Sequence, residues 1–166
     1  MIASWPENET ERLANLTEYP ILDTASEPQF DECVLLATKL AEVPIGIIVI
    51  VDKHRGWYKA RTGTSLSGST RDIAFCSHAI LSHEPMLVED ATFDVRFSDH
   101  PLVIRGPGIR FYAGFPIISP EDYVLGTLCV LDHFLKKLTE PQILGLQELA
   151  ARVMKLIEKT RPQRRA

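Results

Sequence analysis

Two segments, PIGIIVIVD (44–52) and YVLGTLCVLD (123–132), are apolar at both alternating phases. A strand with one face in water alternates apolar and polar residues, so these two read as strands covered on both faces. Any fold that contains them needs a layer on each side of one sheet. Helices at the two ends of the chain supply one layer. After SEPQF (26–30), Phe30, Val34, Ala37 and Ala41 recur at helical spacing, with Cys33, Leu36 and Leu40 widening the stripe. After TEPQI (139–143), Ile143, Leu146, Ala150, Val153 and Ile157 do the same, with Leu144, Leu149 and Leu156 as a second apolar flank. Both starts offer a capping box, Ser26 with Gln29 and Thr139 with Gln142, and a proline in the first turn, where its missing N–H costs nothing. A shorter helix, NETERLANL (8–16), comes first.

The strands between these helices are more varied. GWYKARTG (56–63) alternates, with Trp57, Lys59 and Arg61 on one face and Tyr58 and Ala60 on the other. GIRFYAGFPI (108–117) places Arg110, Tyr112 and Gly114 opposite Phe111, Ala113, Phe115 and Ile117. MLVED (86–90) is a short strand, IAFCSHAILSH (73–83) a short helix, and FSDHPLVI (97–104) a turn or two. Strands in a block with helices at both ends make an α+β fold: one antiparallel sheet with the terminal helices on one face. Short helices and loops then cover the other. The 166 residues read as one domain with its core over about 8–158 and a basic tail over 159–166.

Charge and cysteine usage narrow the function classes. Of 18 basic residues four lie in the tail KTRPQRRA, so residues 1–158 hold 14 against 22 acidic ones. So acidic a body is a poor surface for phosphate backbones, and no nucleic-acid partner is expected. No secretory signal stands at the N-terminus and no apolar run nears the roughly 20 residues of a membrane span, so a cytoplasmic protein without a membrane partner is expected. Cys33, Cys76 and Cys129 read as free thiols. The histidines at 54, 78, 83, 100 and 133 show no ligand-pair spacing with them, so no metal is expected. Cys76 and His78, two apart on a helix, point roughly 200° away from each other and make a poor nucleophile–base pair.

GWYKARTG, RDIAFCSHAI (71–80), VEDATFDVRFSDHPLV (88–103), GIRFYAGFPI and YVLGTLCVLD, in this order, closely resemble the GAF domain. This is a small-molecule-sensing module found near the N-terminus of bacterial sensor kinases and cyclic-dinucleotide signalling enzymes. The resemblance runs from about residue 8 to 158. It implies a PAS- or profilin-like sheet of five to six strands, with a pocket on the loop-rich face. It makes the helix of Phe75, Cys76 and His78 one wall of that pocket and the strand of Arg110 and Tyr112 its floor. Asp90 joins this lining set, and Trp57 and Arg71 are placed near the rim. Arg110 is the expected polar anchor, since a guanidinium pairs with an anion at two points. The rival reading has Arg110 bracing the 90–99 loop through Asp90 or Asp94.

Three functions suit such a module. The first is a non-catalytic sensory or regulatory domain of signal transduction, as in two-component systems, binding a small molecule or mediating dimerisation; the cofactor is unknown. The second is a bilin-binding photoreceptor, whose attachment cysteine usually stands directly before a histidine, whereas Ser77 separates Cys76 from His78. The third is a free methionine-R-sulfoxide reductase, which needs a reactive cysteine where DATFDVRFSDHPLVIRGPG has none. The first is the expectation. Either the chain is an excised piece or it acts on an output domain in trans, and a homodimer through the N- and C-terminal helices is expected.

Overall fold

The structure, a computed structural model, describes residues 1–72, 74–106 and 108–162. Its elements run α1 (Glu9–Leu16), α2 (Pro28–Ala41), β1 (Ile45–Val51), β2 (Arg55–Thr62), β3 (Gly68–Thr70), α3 (Phe75–Ala79), β4 (Met86–Val88), a 3₁₀ turn (Ala91–Phe93), α4 (Pro101–Ile104), β5 (Phe111–Ile118), β6 (Val124–Asp132) and α5 (Glu140–Glu158). The strands form one antiparallel sheet in the order β3-β2-β1-β6-β5-β4. The doubly apolar segments β1 and β6 lie side by side at its centre. The fold is α+β, as the sequence pattern requires.

Each central strand feeds two cores. Ile48 and Ile50 of β1, Phe111, Ala113, Phe115 and Ile117 of β5, and Leu128 and Val130 of β6 face α2 and α5. Ile45, Ile47, Val49 and Val51 of β1, with Tyr112, Cys129 and Leu131, face α3, α4 and the loops. Gly46 lets α2 sit directly on β1: a β-carbon there would stand 2.8 Å from the Thr38 side chain and 2.9 Å from the Val34 carbonyl. Helix α1 lies at the strand ends. Its Arg12 is 1% exposed and donates to the carbonyls of Val51 and Val124, which end β1 and open β6.

Two local readings are corrected. The register against β1 slips between Ile48 and Val49, which pair with Ala60 and Tyr58, so Lys59 is the extra residue of a bulge. Ala60 therefore joins the helix-side core and does not share the face of Tyr58. Second, α2 starts at Pro28 with Glu27 as its N-cap, and Ser26 makes no capping box. The entry is held instead by buried Lys59, which pairs with Glu27, donates to the Thr24 hydroxyl and the Ala25 carbonyl, and stands 5.1 Å above the Phe30 ring. At α5 the capping box of Thr139 and Gln142 is complete. The sixth strand of the expected five to six, β3, comes from Gly-Ser-Thr, which has no apolar periodicity to announce it.

Candidate ligand-binding cavity

The loop-covered face holds a partly open cavity of about 400 Å³, within the range of small-molecule sites. Ile45, Ile47 and Val49 of β1 and Cys129 and Leu131 of β6 form its floor, with Tyr112 of β5 beside them. Helix α3 is one wall, through Phe75 and Cys76, and α4 another, through Pro101 and Leu102. Thr64, Leu66, Ser69 and Thr70 close the side nearest β3, and His100, Ile109 and His133 the opposite end. Gly63 makes the turn out of β2 at φ +78°, and a β-carbon there would lie 2.1 Å from the Pro44 carbonyl oxygen, so only glycine suits this corner.

The aromatic wall is internally braced. The Phe75 ring is nearly parallel to that of Tyr112, 5.0 Å between centroids and 16° between planes. It also meets Phe97 and His100, each at 4.5 Å. The Tyr112 hydroxyl lies over Gly114, where a β-carbon would stand 2.6 Å from it. That hydroxyl and the one of Thr127 are fully buried, with the Cys129 thiol as their neighbour. Burial pushes the Tyr58 and Tyr112 phenols above their ordinary range. It likewise pushes the Cys76 thiol up to about 12, and raises Cys129 and Cys33.

Of the residues singled out from sequence, the structure brings Phe75, Cys76 and Tyr112 together at the cavity and places five elsewhere. Trp57 packs half-buried on the helix-side core, across the sheet, because β2 directs it to that face. Arg71 is buried, but its guanidinium is engaged by Glu9 and the Asp52 carbonyl. His78 is turned edge-on to Phe97 at 5.0 Å, with Nε2 3.0 Å from the Met1 carbonyl, and burial first of all holds its pKa below the ordinary value. Asp90 caps the 3₁₀ turn by accepting from the Thr92 N–H and hydroxyl. Arg110 donates to the carbonyls of Val103 and Ile109.

Arg110 therefore braces the 103–109 loop through carbonyls, and its side chain does not brace the 90–99 loop. Neither proposed aspartate is its partner, since Asp94 pairs with Arg96 at 2.6 Å. Cys129, read from sequence only as a free thiol, lines the cavity as well. The parity of Tyr112 would have pointed to the floor, had β1 and β6 been less apolar on their other phase. Among the described residues no three His, Cys, Asp or Glu side chains converge as a metal site, and no helix is long and apolar enough to cross a membrane.

This architecture has relatives. A family model for the GAF domain matches residues 22–157. A cyclic di-GMP phosphodiesterase of Pseudomonas aeruginosa is 37% identical over 158 residues, which are 95% of this chain and 27% of that protein. The chain thus spans about a quarter of the relative's length. The GAF domain of an Acinetobacter phosphoenolpyruvate-protein phosphotransferase superposes with a TM-score of 0.68 at 18% identity, over 92% of this chain and 94% of that one. A far-red cyanobacteriochrome photoreceptor superposes with a TM-score of 0.67 at 16% identity, over 93% and 98%. At such identities the two structures speak for the fold alone. The chain belongs to the GAF domain family.

Proposed function

We propose that this chain is a non-catalytic sensory module of a signalling protein, binding a small molecule in the cavity beneath α3 and passing its occupancy on through the helical layer. The carrying observation is the cavity itself: partly open, mostly apolar, and walled by a five-residue helix that includes Phe75. A ligand seated there bears on α3, which is joined to α1 through Arg71. The Ser77 hydroxyl donates to the Arg71 carbonyl, and the Arg71 guanidinium meets Glu9.

The cysteines support this reading over the two chemical ones. Cys76 is buried, its thiol is held protonated, and its sulfur lies 3.2 Å from where a β-carbon on Gly56 would stand. Such a thiol is a weak nucleophile, both for tetrapyrrole attachment and for sulfoxide reduction. Cyclic di-GMP phosphodiesterase activity belongs to a relative of which the match covers 27%. For this chain we infer a regulatory part in a comparable cytoplasmic signalling protein, with the output domain in the same protein or in trans. We also infer a homodimer through the terminal helices, supported by Leu144, which is 54% exposed on α5.

Native mass spectrometry of protein purified from its own host, set against the denatured mass, tests the sensory reading. A non-covalent mass released on denaturation supports it. A covalent adduct on Cys76 overturns it in favour of the photoreceptor reading, and steady NADPH-coupled turnover of free methionine-R-sulfoxide overturns it in favour of the enzyme.

A further inference from the structure

We propose that the cavity takes an uncharged, flat and mostly apolar organic ligand and rejects molecules bearing phosphate or carboxylate, cyclic dinucleotides among them. This inference rests on the sensory reading and names its ligand class.

The lining carries the argument. None of the described residues around the cavity is an aspartate, glutamate, lysine or arginine. Arg105, just past α4, is exposed and does not line the cavity, and four other arginines nearby in sequence have partners of their own. Arg71 is engaged by Glu9, Arg96 by Asp94, Arg61 by the Leu66 carbonyl, and Arg110 by the carbonyls of Val103 and Ile109. Lys59 is held on the opposite face by Glu27. An anion entering this space would give up its water shell without meeting a cation, and that loss is among the largest penalties in protein binding.

The imidazoles do not change the balance. His100 Nδ1 already accepts a hydrogen bond from the Leu102 N–H, so this nitrogen is engaged in capping α4. His133 Nδ1 is engaged by the Gly108 carbonyl at 3.2 Å. The hydroxyls of Tyr58, Thr64, Ser69 and Thr70 add neutral polar groups. Flatness follows from the aromatic lining, since Tyr58, Phe75 and Tyr112 present rings to a space only a few rings in size.

Three probes test this by isothermal titration at pH 7.5: 2-naphthol, its anionic counterpart 2-naphthoate, and cyclic di-GMP. The expected result is saturable binding of 2-naphthol, at least tenfold tighter than 2-naphthoate, with no heat from cyclic di-GMP. Two variants place the site. Ile47→Phe fills the floor, and Leu102→Trp obstructs a wall at a position already 41% exposed, so that folding is kept. Each is expected to weaken 2-naphthol at least tenfold, and 2-naphthol binding unaffected by Leu102→Trp in a folded protein overturns the site. Tighter or equal binding of 2-naphthoate or cyclic di-GMP, weakened by Leu102→Trp, overturns the ligand class and leaves the sensory reading standing. No binding of any probe, with no mass released in native spectrometry, overturns both.

Discussion

Glu9 and Arg71, 62 positions apart, meet as a two-point ion pair, with Nη1 2.6 Å from Oε1 and Nη2 2.8 Å from Oε2. Arg12 reaches the same carboxylate from one helical turn away, Nη2 at 2.8 Å and Nε at 3.2 Å. One glutamate thus serves two buried guanidinium groups. Arg71 lies 4.5 Å from the Trp5 ring, and Arg12 runs on to the backbone of β1 and β6. The cluster fastens α1, the central strands and the segment leading into the cavity wall at one point.

Removing the shared partner leaves two cations without compensation. Glu9→Ala is therefore expected to destabilise by on the order of 3–5 kcal/mol, the scale for breaking a buried pair from one side. For a chain of this size that is a fall in melting temperature of roughly 10 °C. Thermal unfolding by circular dichroism checks it, and a change of under 2 °C would sink the view that this cluster fastens α1.

The pH dependence follows from the same contacts. Burial pulls the Glu9 pKa up, but the hydrogen bonds and charges of Arg71 and Arg12 outweigh it and hold the value below the ordinary 4.5. A carboxylate depressed in the folded state contributes stability that is complete above its unfolded pKa and is lost as pH falls through the folded one. The stability gap between wild type and Glu9→Gln is expected to be steady from pH 7 to about 5 and to shrink below about 4.5. Urea unfolding at pH 7, 5, 4 and 3 measures it; a gap that widens on acidification contradicts the assignment.

Arg110 brings a second, smaller prediction. It ties the Val103 and Ile109 carbonyls, and a β-carbon on Gly108 would lie 2.4 Å from its Nη1, so the loop is folded tightly about the guanidinium. Arg110→Ala removes donors from carbonyls worth about 1 kcal/mol in all, or about 2–4 °C in melting temperature. Probe affinity should change less than tenfold, because this side chain does not line the cavity. A hundredfold loss of 2-naphthol affinity without a change in melting temperature would restore it as the anchor.

Sequence patterning reached the layers of this fold but only part of its cavity. The two-phase apolar runs of β1 and β6 placed both strands at the centre of a covered sheet, and the helical stripes of α2 and α5 placed the layer above it. The same apolarity hid the floor, because Ile47 and Ile48 look alike although one faces the cavity and the other the helices. Polar residues misled for the opposite reason. Arg71, His78, Asp90 and Arg110 stood out as chemistry-bearing, yet Arg71 and His78 are taken up by Glu9 and Met1, far off in the chain, and Asp90 and Arg110 by short-range contacts to Thr92 and to the Val103 and Ile109 carbonyls. The bulge at Lys59 changes the face of Ala60 through one unpaired residue, and an alternating pattern carries no mark of such an insertion.

The two helix starts with one spelling give a matched test of that lesson. Thr139→Ala breaks a completed capping box and is expected to cost about 0.5–2 kcal/mol. Ser26→Ala breaks none, and is expected to stay within about 0.5 kcal/mol of wild type. Equal losses in chemical denaturation would mean that both boxes form.

The final prediction concerns self-association. On α5, Leu149 and Leu156 are half-buried against their own core, while Leu144 is 54% exposed and the neighbouring Gly145 sits close against Leu40 of α2. Leu35 on α2 is 49% exposed as well. Two helices of one layer thus leave apolar side chains in water, as a helix–helix contact between copies requires. Wild-type protein at tens of micromolar is expected to sediment as a dimer, and Leu144→Asp as a monomer with an unchanged circular dichroism spectrum. A monomeric wild type removes the dimer from the functional reading while leaving the cavity untouched. A dimer indifferent to Leu144→Asp moves the contact to another surface, and the same substitution at Leu35 shows whether that surface is α2.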